Sequence, residues 1–137
     1  MKKVISLILV SCLVLFVFAS CGSKGDYQIV IPENATLTEQ YAAENLSAII
    51  EDYYGVTLSI VKDSEPEQKS EILIGETSRE ESKAVKVEGD NYVIKVVGNK
   101  LVVKGGNELA TYRALEHLYT VLKESKEGKA FAWTDGY

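Results

Sequence analysis

The sequence is poor in the residues that most often carry chemistry in small proteins. It has one histidine, one tryptophan, one methionine and two cysteines, Cys12 and Cys21. Cys12 lies inside an apolar leader that we expect to be removed, so Cys21 is the single cysteine of the mature chain. An intrachain disulfide and a cysteine metal cluster are therefore excluded.

The signatures of the common enzyme classes are absent as well. The chain contains no GxSxG elbow, no Walker motif and no GxGxxG fingerprint. Gly105-Gly106 could cradle an anion before a helix, but no Lys, Ser or Thr stands where a phosphate loop needs one, so we favour a tight turn. His117 has Arg113 and Glu116 as helical neighbours and no second metal ligand, which favours a structural histidine.

Acidic residues outnumber basic residues by 20 to 15, which gives the chain a net charge of −5. Removal of residues 1–20 takes Lys2 and Lys3 away and leaves a net charge of −7. A protein that binds nucleic acid needs a basic stripe, so we expect no nucleic-acid partner.

The carboxylates are numerous enough to raise the question of a glycosidase, which needs two of them. Most fall on the polar side of one helix or in polar turns, and Glu65, Glu67 and Glu71 fall in or beside a polar loop. Solvated positions of this kind lack the water-excluded cleft that raises the pKa of a catalytic carboxyl group. We predict that the chain is not an enzyme and has no catalytic residue, no cofactor and no metal site.

Residues 1–20 have the pattern of an export signal. Lys2 and Lys3 precede an apolar run over residues 4–19, which is shorter than the ~20 residues that a membrane-spanning helix needs. The run ends in Phe18-Ala19-Ser20-Cys21, and a polar, flexible stretch follows. This segment resembles a bacterial lipobox, with Phe18 at a position that more often carries Leu.

The lipobox resemblance implies cleavage before Cys21, thioether lipidation of Cys21 and acylation of the new amino terminus by a fatty acid such as palmitate. Stable anchoring requires two or more acyl chains, because each buried methylene contributes only ~0.8 kcal/mol. We therefore expect residues 21–26 to tether the domain to the extracytoplasmic side of the bacterial cell membrane. The alternatives are an uncleaved signal anchor and a secreted protein in which Cys21 has no role.

The mature chain alternates between strand and helix patterns. Thr36 and Glu39 form a capping box that opens a first helix, and Gly55 ends it. The Gly98-Asn99 turn joins two alternating strands and sets Val97 opposite Lys100. The predicted strands are 27–31, 56–61, 71–75, 91–97 and 100–104, with helices at 36–54 and 108–124, a short polar turn or helix at 77–83, and a final strand or linker within 126–137.

These patterns predict an α+β fold, a two-layer α/β sandwich with a mixed sheet of about five strands and two helices on one face. The domain should cover residues 27–125. On the second helix either Leu109 or Ala110 should begin the apolar face. The opposite face of the sheet, with Gln28, Lys95 and Lys104, should be open or covered by a partner.

Three segments resemble one known module. They read YQIVIPENATLTEQYAAENLSAIIEDYYGVTLSIV, EILIGETSRE and GDNYVIKVVGNKLVVKGGNELATYRALEHLY. They are similar to the N-terminal accessory domain of hexosaminidases and alpha-glucuronidases, although Ala110-Thr111-Tyr112 stands where that family usually has Gly and an aromatic. The resemblance implies a small mixed sheet with two helices on one face, usually placed before a catalytic TIM barrel.

In such enzymes the catalytic carboxylates belong to the barrel, so no active-site residue carries over. A barrel needs ~250 residues, far more than follow Leu122 in this sequence. The leading hypothesis is a membrane-anchored surface lipoprotein whose non-catalytic domain docks onto a protein or glycan partner through the open sheet face. The alternative is the N-terminal fragment of a carbohydrate-active enzyme whose barrel is missing, and a small-ligand-binding lipoprotein of a transport system is a third hypothesis.

Overall fold

The computed structural model describes residues 24–125. Within them a five-stranded sheet has the strand order β2-β1-β3-β5-β4, in which β4 is antiparallel to β5 and the other neighbours are parallel. The predicted α+β class with a mixed sheet is confirmed. The predicted signal peptide, Cys21 and the segment 126–137 lie outside the described residues. The elements are β1 (Lys24–Ile31), α1 (Leu37–Tyr54), β2 (Thr57–Lys62), β3 (Glu71–Ile74), α2 (Glu80–Ala84), β4 (Tyr92–Val97), β5 (Lys100–Gly105) and α3 (Glu108–Glu124).

Local capping fixes both ends of α1, as the sequence predicts. The Thr36 hydroxyl accepts from the Glu39 amide at 3.2 Å, and the Glu39 carboxylate accepts from the Thr36 amide at 2.8 Å. Gly55 ends the helix with a φ of 67°, a left-handed conformation that favours glycine. With both ends fixed, α1 connects the parallel neighbours β1 and β2.

The β4–β5 hairpin has the predicted register. Val97 pairs with Lys100, and Ile94 pairs with Val103. Gly98 has a φ of 62°, and no non-glycine residue within 24–125 has a positive φ. This combination matches a type II′ turn, whose twist suits a tight hairpin.

The main core lies between the sheet and the two long helices. α3 begins at Asn107, whose side-chain oxygen accepts from the Ala110 amide at 2.8 Å. Ala110 is buried and Leu109 is exposed, so Ala110 begins the apolar face. The two long helices therefore pack on one face of the sheet, as predicted. The buried residues of this core are Ile29, Ile31, Ala42, Ala43, Leu46, Ile50, Leu58, Ile72, Ile74, Leu101, Val103, Ala114, Leu115, Leu118 and Leu122.

The second face of the sheet is not open at its centre, so this part of the prediction is wrong. The chain after β3 folds over it through α2, and Val85 packs with Val30, Leu73 and Val102 in a second apolar cluster. This segment leaves Lys104 only 4% exposed. The Lys104 ammonium donates to the carbonyls of Ser82 and Val85 at 3.2 and 2.9 Å and pairs with the carboxylate of Glu76. A buried ammonium is tolerated where such acceptors surround it. Lys95, Thr57 and Ser59, on the outer strands, are exposed.

Candidate functional site

A groove of about 1010 Å³ lies between the N-terminal turns of α1 and α3. The strands β1 and β5, which precede these helices, are both parallel to β3. The C-terminal ends of β1 and β5 therefore lie on the same side of the sheet, where the strands terminate. Ligands of open α/β sheets commonly bind just beyond the C-terminal ends of the strands. The groove is lined by Leu37, Thr38, Gln40, Tyr41, Glu44, Asn107, Glu108, Leu109 and Tyr112.

The groove gathers exposed large apolar side chains. Leu37 is 83% exposed, Tyr41 60%, Leu109 55% and Tyr112 38%. Only two other large hydrophobic residues within 24–125, Ile60 and Tyr92, are comparably exposed, and neither lines the groove. A contiguous apolar patch rimmed by polar groups indicates a binding surface.

The exposed side chains form a second stripe on each helix, separate from the stripe that faces the core. On α1, Leu37, Tyr41 and Glu44 follow helical spacing, and on α3, Leu109 and Tyr112 do so. Each stripe occupies only the first turns of its helix. The sequence therefore contained a signal for this site, whereas the predicted partner surface was the open sheet face.

Some polar groups of the groove are hydrogen-bonded within the domain, and others are free to bind a ligand. The Asn107 amide donates to the carbonyl of Gly89 at 3.0 Å and to the carboxylate of Asp90 at 2.9 Å, so it fixes the wall of the groove. No hydrogen bond within residues 24–125 engages the carboxylates of Glu44 or Glu108. These two side chains are exposed and can accept hydrogen bonds from a ligand.

Two tyrosine hydroxyls near the groove stay protonated over a wide pH range. A hydrogen bond to Glu116, together with the charge of that carboxylate, raises the pKa of Tyr112. Burial, assisted by Glu116, raises the pKa of Tyr119 to about 12, and its hydroxyl donates to the Ala42 carbonyl at 3.0 Å. Tyr119 thus joins α3 to α1 through a hydrogen bond.

A second cluster of charged groups lies under the loop between β2 and β3, on the face of the sheet that carries α2. The Glu71 carboxylate, 0% exposed, accepts from the Gln28 amide at 2.8 Å, the Gln68 backbone amide at 2.9 Å and the Arg79 guanidinium at 3.0 and 3.2 Å. The Lys100 ammonium lies 3.3 Å from the same carboxylate. The interpretation of Glu71 as a solvated carboxylate is therefore wrong.

The surroundings of Glu71 oppose a catalytic role. Burial alone would raise the pKa of Glu71, but the hydrogen bonds from Gln68, Arg79 and Gln28 and the charge of Lys100 hold it below its usual value. The Arg79 guanidinium also donates to the carbonyls of Asp63 and Glu65, each at 3.0 Å. The cluster is thus internally satisfied and fastens the β2–β3 loop to the sheet.

The other residues considered as candidates in the sequence, His117 and Gly105-Gly106, make contacts within the domain. His117 is exposed, and its Nδ1 lies 3.2 Å from the Tyr92 hydroxyl. The Gly105 amide donates to the Thr111 hydroxyl at 3.0 Å and the Gly106 amide to the Asn91 carbonyl at 2.9 Å, which confirms the tight strand-to-helix turn. Across residues 24–125 no group of three or more His, Cys, Asp and Glu side chains is arranged to hold a metal ion. In the same range, no helix combines the length and the apolar character needed to cross a bilayer.

Comparison of the chain with protein-family models finds no match, and comparison with curated proteins finds none either. The resemblance to an accessory domain of glycoside hydrolases therefore stays a prediction made from the sequence.

Proposed function

We propose that the chain is a lipid-anchored, non-catalytic module of the bacterial cell surface that binds a neutral glycan in the groove between α1 and α3. The observation that carries the proposal is the placement of two exposed tyrosines, Tyr41 and Tyr112, beside the exposed carboxylates of Glu44 and Glu108. The export pattern that ends at Cys21 supports the anchor.

This combination of groups suits a sugar. A tyrosine ring offers a flat apolar surface with a polar tip, and carboxylates accept hydrogen bonds from sugar hydroxyls. Because Glu44 and Glu108 carry negative charge, a polyanionic glycan is disfavoured. The occupant that we propose is therefore uncharged. The groove replaces the sheet face as the proposed partner surface, since α2 covers the centre of that face.

We expect binding without hydrolysis. Glycosidic cleavage needs two carboxyl groups held across a water-excluded cleft, one as acid and one as base or nucleophile. Glu44 and Glu108 are exposed on helix surfaces, where water reaches both of them. The full chain should therefore show no turnover of aryl hexosaminides, glucuronides or other aryl glycosides. Sustained turnover that a single Asp or Glu substitution abolishes would contradict this proposal.

The binding test uses the full chain in detergent micelles, first on an array of neutral glycans and then in titrations with the best ligand. Tyr41→Ala and Tyr112→Ala should each weaken binding by about tenfold, or ~1.4 kcal/mol, because the stacking surface is lost. Tyr41→Phe and Tyr112→Phe keep the rings and should bind within about threefold of the unmodified chain. Equal losses for Phe and Ala, or binding that neither change affects, would refute the groove as the site.

A second function rests on the two leucines. Leu37 is 83% exposed and Leu109 is 55% exposed, and both line the groove. Exposed apolar side chains of this kind can be buried against the surface of another protein. The groove would then receive another domain of a carbohydrate-active enzyme, the class of protein in which the resembled accessory domain occurs. In that case the reading frame should continue past Tyr137 into a catalytic barrel, or an adjacent gene should encode that barrel. Leu37→Ser and Leu109→Ser should then weaken docking of that barrel without a loss of fold stability.

A further inference from the structure

The strand β4 forms one edge of the sheet, and within residues 24–125 nothing pairs with its outer side. In an antiparallel pair, alternate residues direct their backbone groups toward the neighbouring strand. Asn91 belongs to the set that faces β5, because its carbonyl accepts from the Gly106 amide at 2.9 Å. The amides and carbonyls of the other set, Tyr92, Ile94 and Val96, therefore point away from the sheet.

This edge lacks most of the features that protect exposed strands. Over Tyr92–Val97 the sequence is YVIKVV, with no proline, no glycine and the single charge of Lys95. Proteins usually blunt an edge with several charges, a proline or a bulge. The opposite edge, β2, is more polar, since Thr57 and Ser59 are exposed along it.

We propose that a second copy of this chain pairs with β4, so that the two sheets continue through an antiparallel β4–β4 ladder. A two-fold axis at Ile94 places Ile94 opposite the partner's Ile94 and Tyr92 opposite the partner's Val96. All three outward residues of each copy are then paired, with about six backbone hydrogen bonds. The contact is isologous, as expected for a closed dimer.

The position of Lys95 argues against a neighbouring register. A shift that centres the axis on Lys95 keeps the hydrogen-bond pattern but sets two ammonium groups directly opposite each other, which is destabilising. With the axis at Ile94, Lys95 faces the partner's Val93 instead. Charge and hydrogen-bond pattern thus point to the same self-complementary arrangement.

The test is sedimentation equilibrium of the full chain in density-matched detergent. Val93→Glu sets two carboxylates opposite the two lysines across the axis and should tighten the dimer by about tenfold. Val93→Glu combined with Lys95→Glu removes the same valine but places the carboxylate at position 93 opposite the partner's carboxylate at position 95. This double variant should weaken the dimer by about tenfold relative to the unmodified chain. Lys95→Glu alone is the matched control and should change the dissociation constant by less than about threefold.

A second measurement on the unmodified chain keeps the test decisive if the Val93 variants do not fold. Amide hydrogen exchange at Tyr92, Ile94 and Val96 should slow as protein concentration rises through the dimer range, whereas exchange along the outer edge of β2 should not. Equal dissociation constants for the single and double Val93 variants would overturn the proposal. A monomeric chain with concentration-independent exchange at β4 would also overturn it, even if another protein's extended segment were later found to protect this edge.

Discussion

Replacement of Glu71 by Gln should be strongly destabilising, because it removes the negative charge that compensates two buried cations. The Glu71 carboxylate is fully buried and contacts both Arg79 and Lys100. A glutamine of the same shape keeps one acceptor oxygen but turns an NH₂ group toward positively charged donors. Lys100 retains Glu67 and Glu81 as partners, whereas Arg79 retains only the two backbone carbonyls. Breaking a buried ion pair from one side typically costs ~3 to 5 kcal/mol, and the remaining partners place this change near ~3.

The assay is urea unfolding followed by circular dichroism. A loss of ~3 kcal/mol lowers the midpoint by about 1 to 3 M urea at the slopes that small domains show. Glu80→Gln is the matched control, because Glu80 pairs with Lys83 at 2.9 Å while its side chain is 87% exposed. Exposed pairs of this kind contribute ~0.5 kcal/mol or less. A Glu71→Gln midpoint no lower than that of Glu80→Gln would refute the account of the cluster.

The same cluster gives a pH dependence of known sign. The pKa of Glu71 is lowered in the folded state from an ordinary value of 4.5. A carboxyl group of this kind contributes stability above its unfolded pKa, and the contribution is lost as the pH falls through the folded pKa. The free energy of unfolding should therefore decline below pH 4.5, and Glu71→Gln should decline less steeply. Parallel slopes for the two proteins would contradict the lowered pKa.

Three further predictions concern the anchor, the hairpin and the covered sheet face. Cys21→Ala should release the chain from the membrane fraction after a carbonate wash, and retention would show that the lipobox interpretation is wrong. Gly98→Val should lower stability by ~1 kcal/mol or more through the positive φ; an unchanged unfolding midpoint would contradict the two-residue turn. Lys104→Glu should destabilise by ~3 kcal/mol, because it sets a buried carboxylate against two carbonyls and the carboxylate of Glu76. Lys95 is exposed, so Lys95→Glu should change stability by no more than ~0.5 kcal/mol. Similar effects of the two substitutions would contradict the burial of Lys104.

The features that could be predicted from the sequence are those that short-range interactions determine. The capping box of Thr36 and Glu39 spans one helical turn, and the hairpin register follows from Gly98-Asn99 and the alternation on either side. The choice between Leu109 and Ala110 was open because both are apolar neighbours. It was decided by the direction in which α3 approaches the sheet, which the sequence does not encode locally.

The features that were missed depend on contacts distant along the chain. Glu71 looked like a loop carboxylate because its partner Gln28 is 43 residues away and Arg79 belongs to the segment that closes over the sheet. The groove likewise joins the first turns of two helices about 70 positions apart. Each helix shows its second apolar stripe, but only the sheet order brings Tyr41 and Tyr112 together. Burial of charge and juxtaposition of surfaces are thus tertiary properties.

The proposed anchor, the proposed glycan groove and the proposed β4 pair together predict how the domain would lie on a membrane. In an antiparallel β4 pair the β1 strands of the two copies run in opposite directions, so both anchors reach one membrane only if the strands lie along its surface. The groove belongs to the helical layer, which must then face outward for a glycan to enter, and α2 must face the lipid.

The distance from anchor to sheet is compatible with this orientation. Cys21 precedes the start of β1 at Lys24 by three residues, which span at most ~10 Å, about the separation of two packed layers. Spin labels on Lys83→Cys, in α2, and Glu44→Cys, in the groove, test the orientation in reconstituted vesicles. A relaxation agent attached to lipid headgroups should broaden the label at position 83 far more than the label at position 44. Equal broadening, or the reverse order, would show that the domain does not lie with its α2 face toward the membrane.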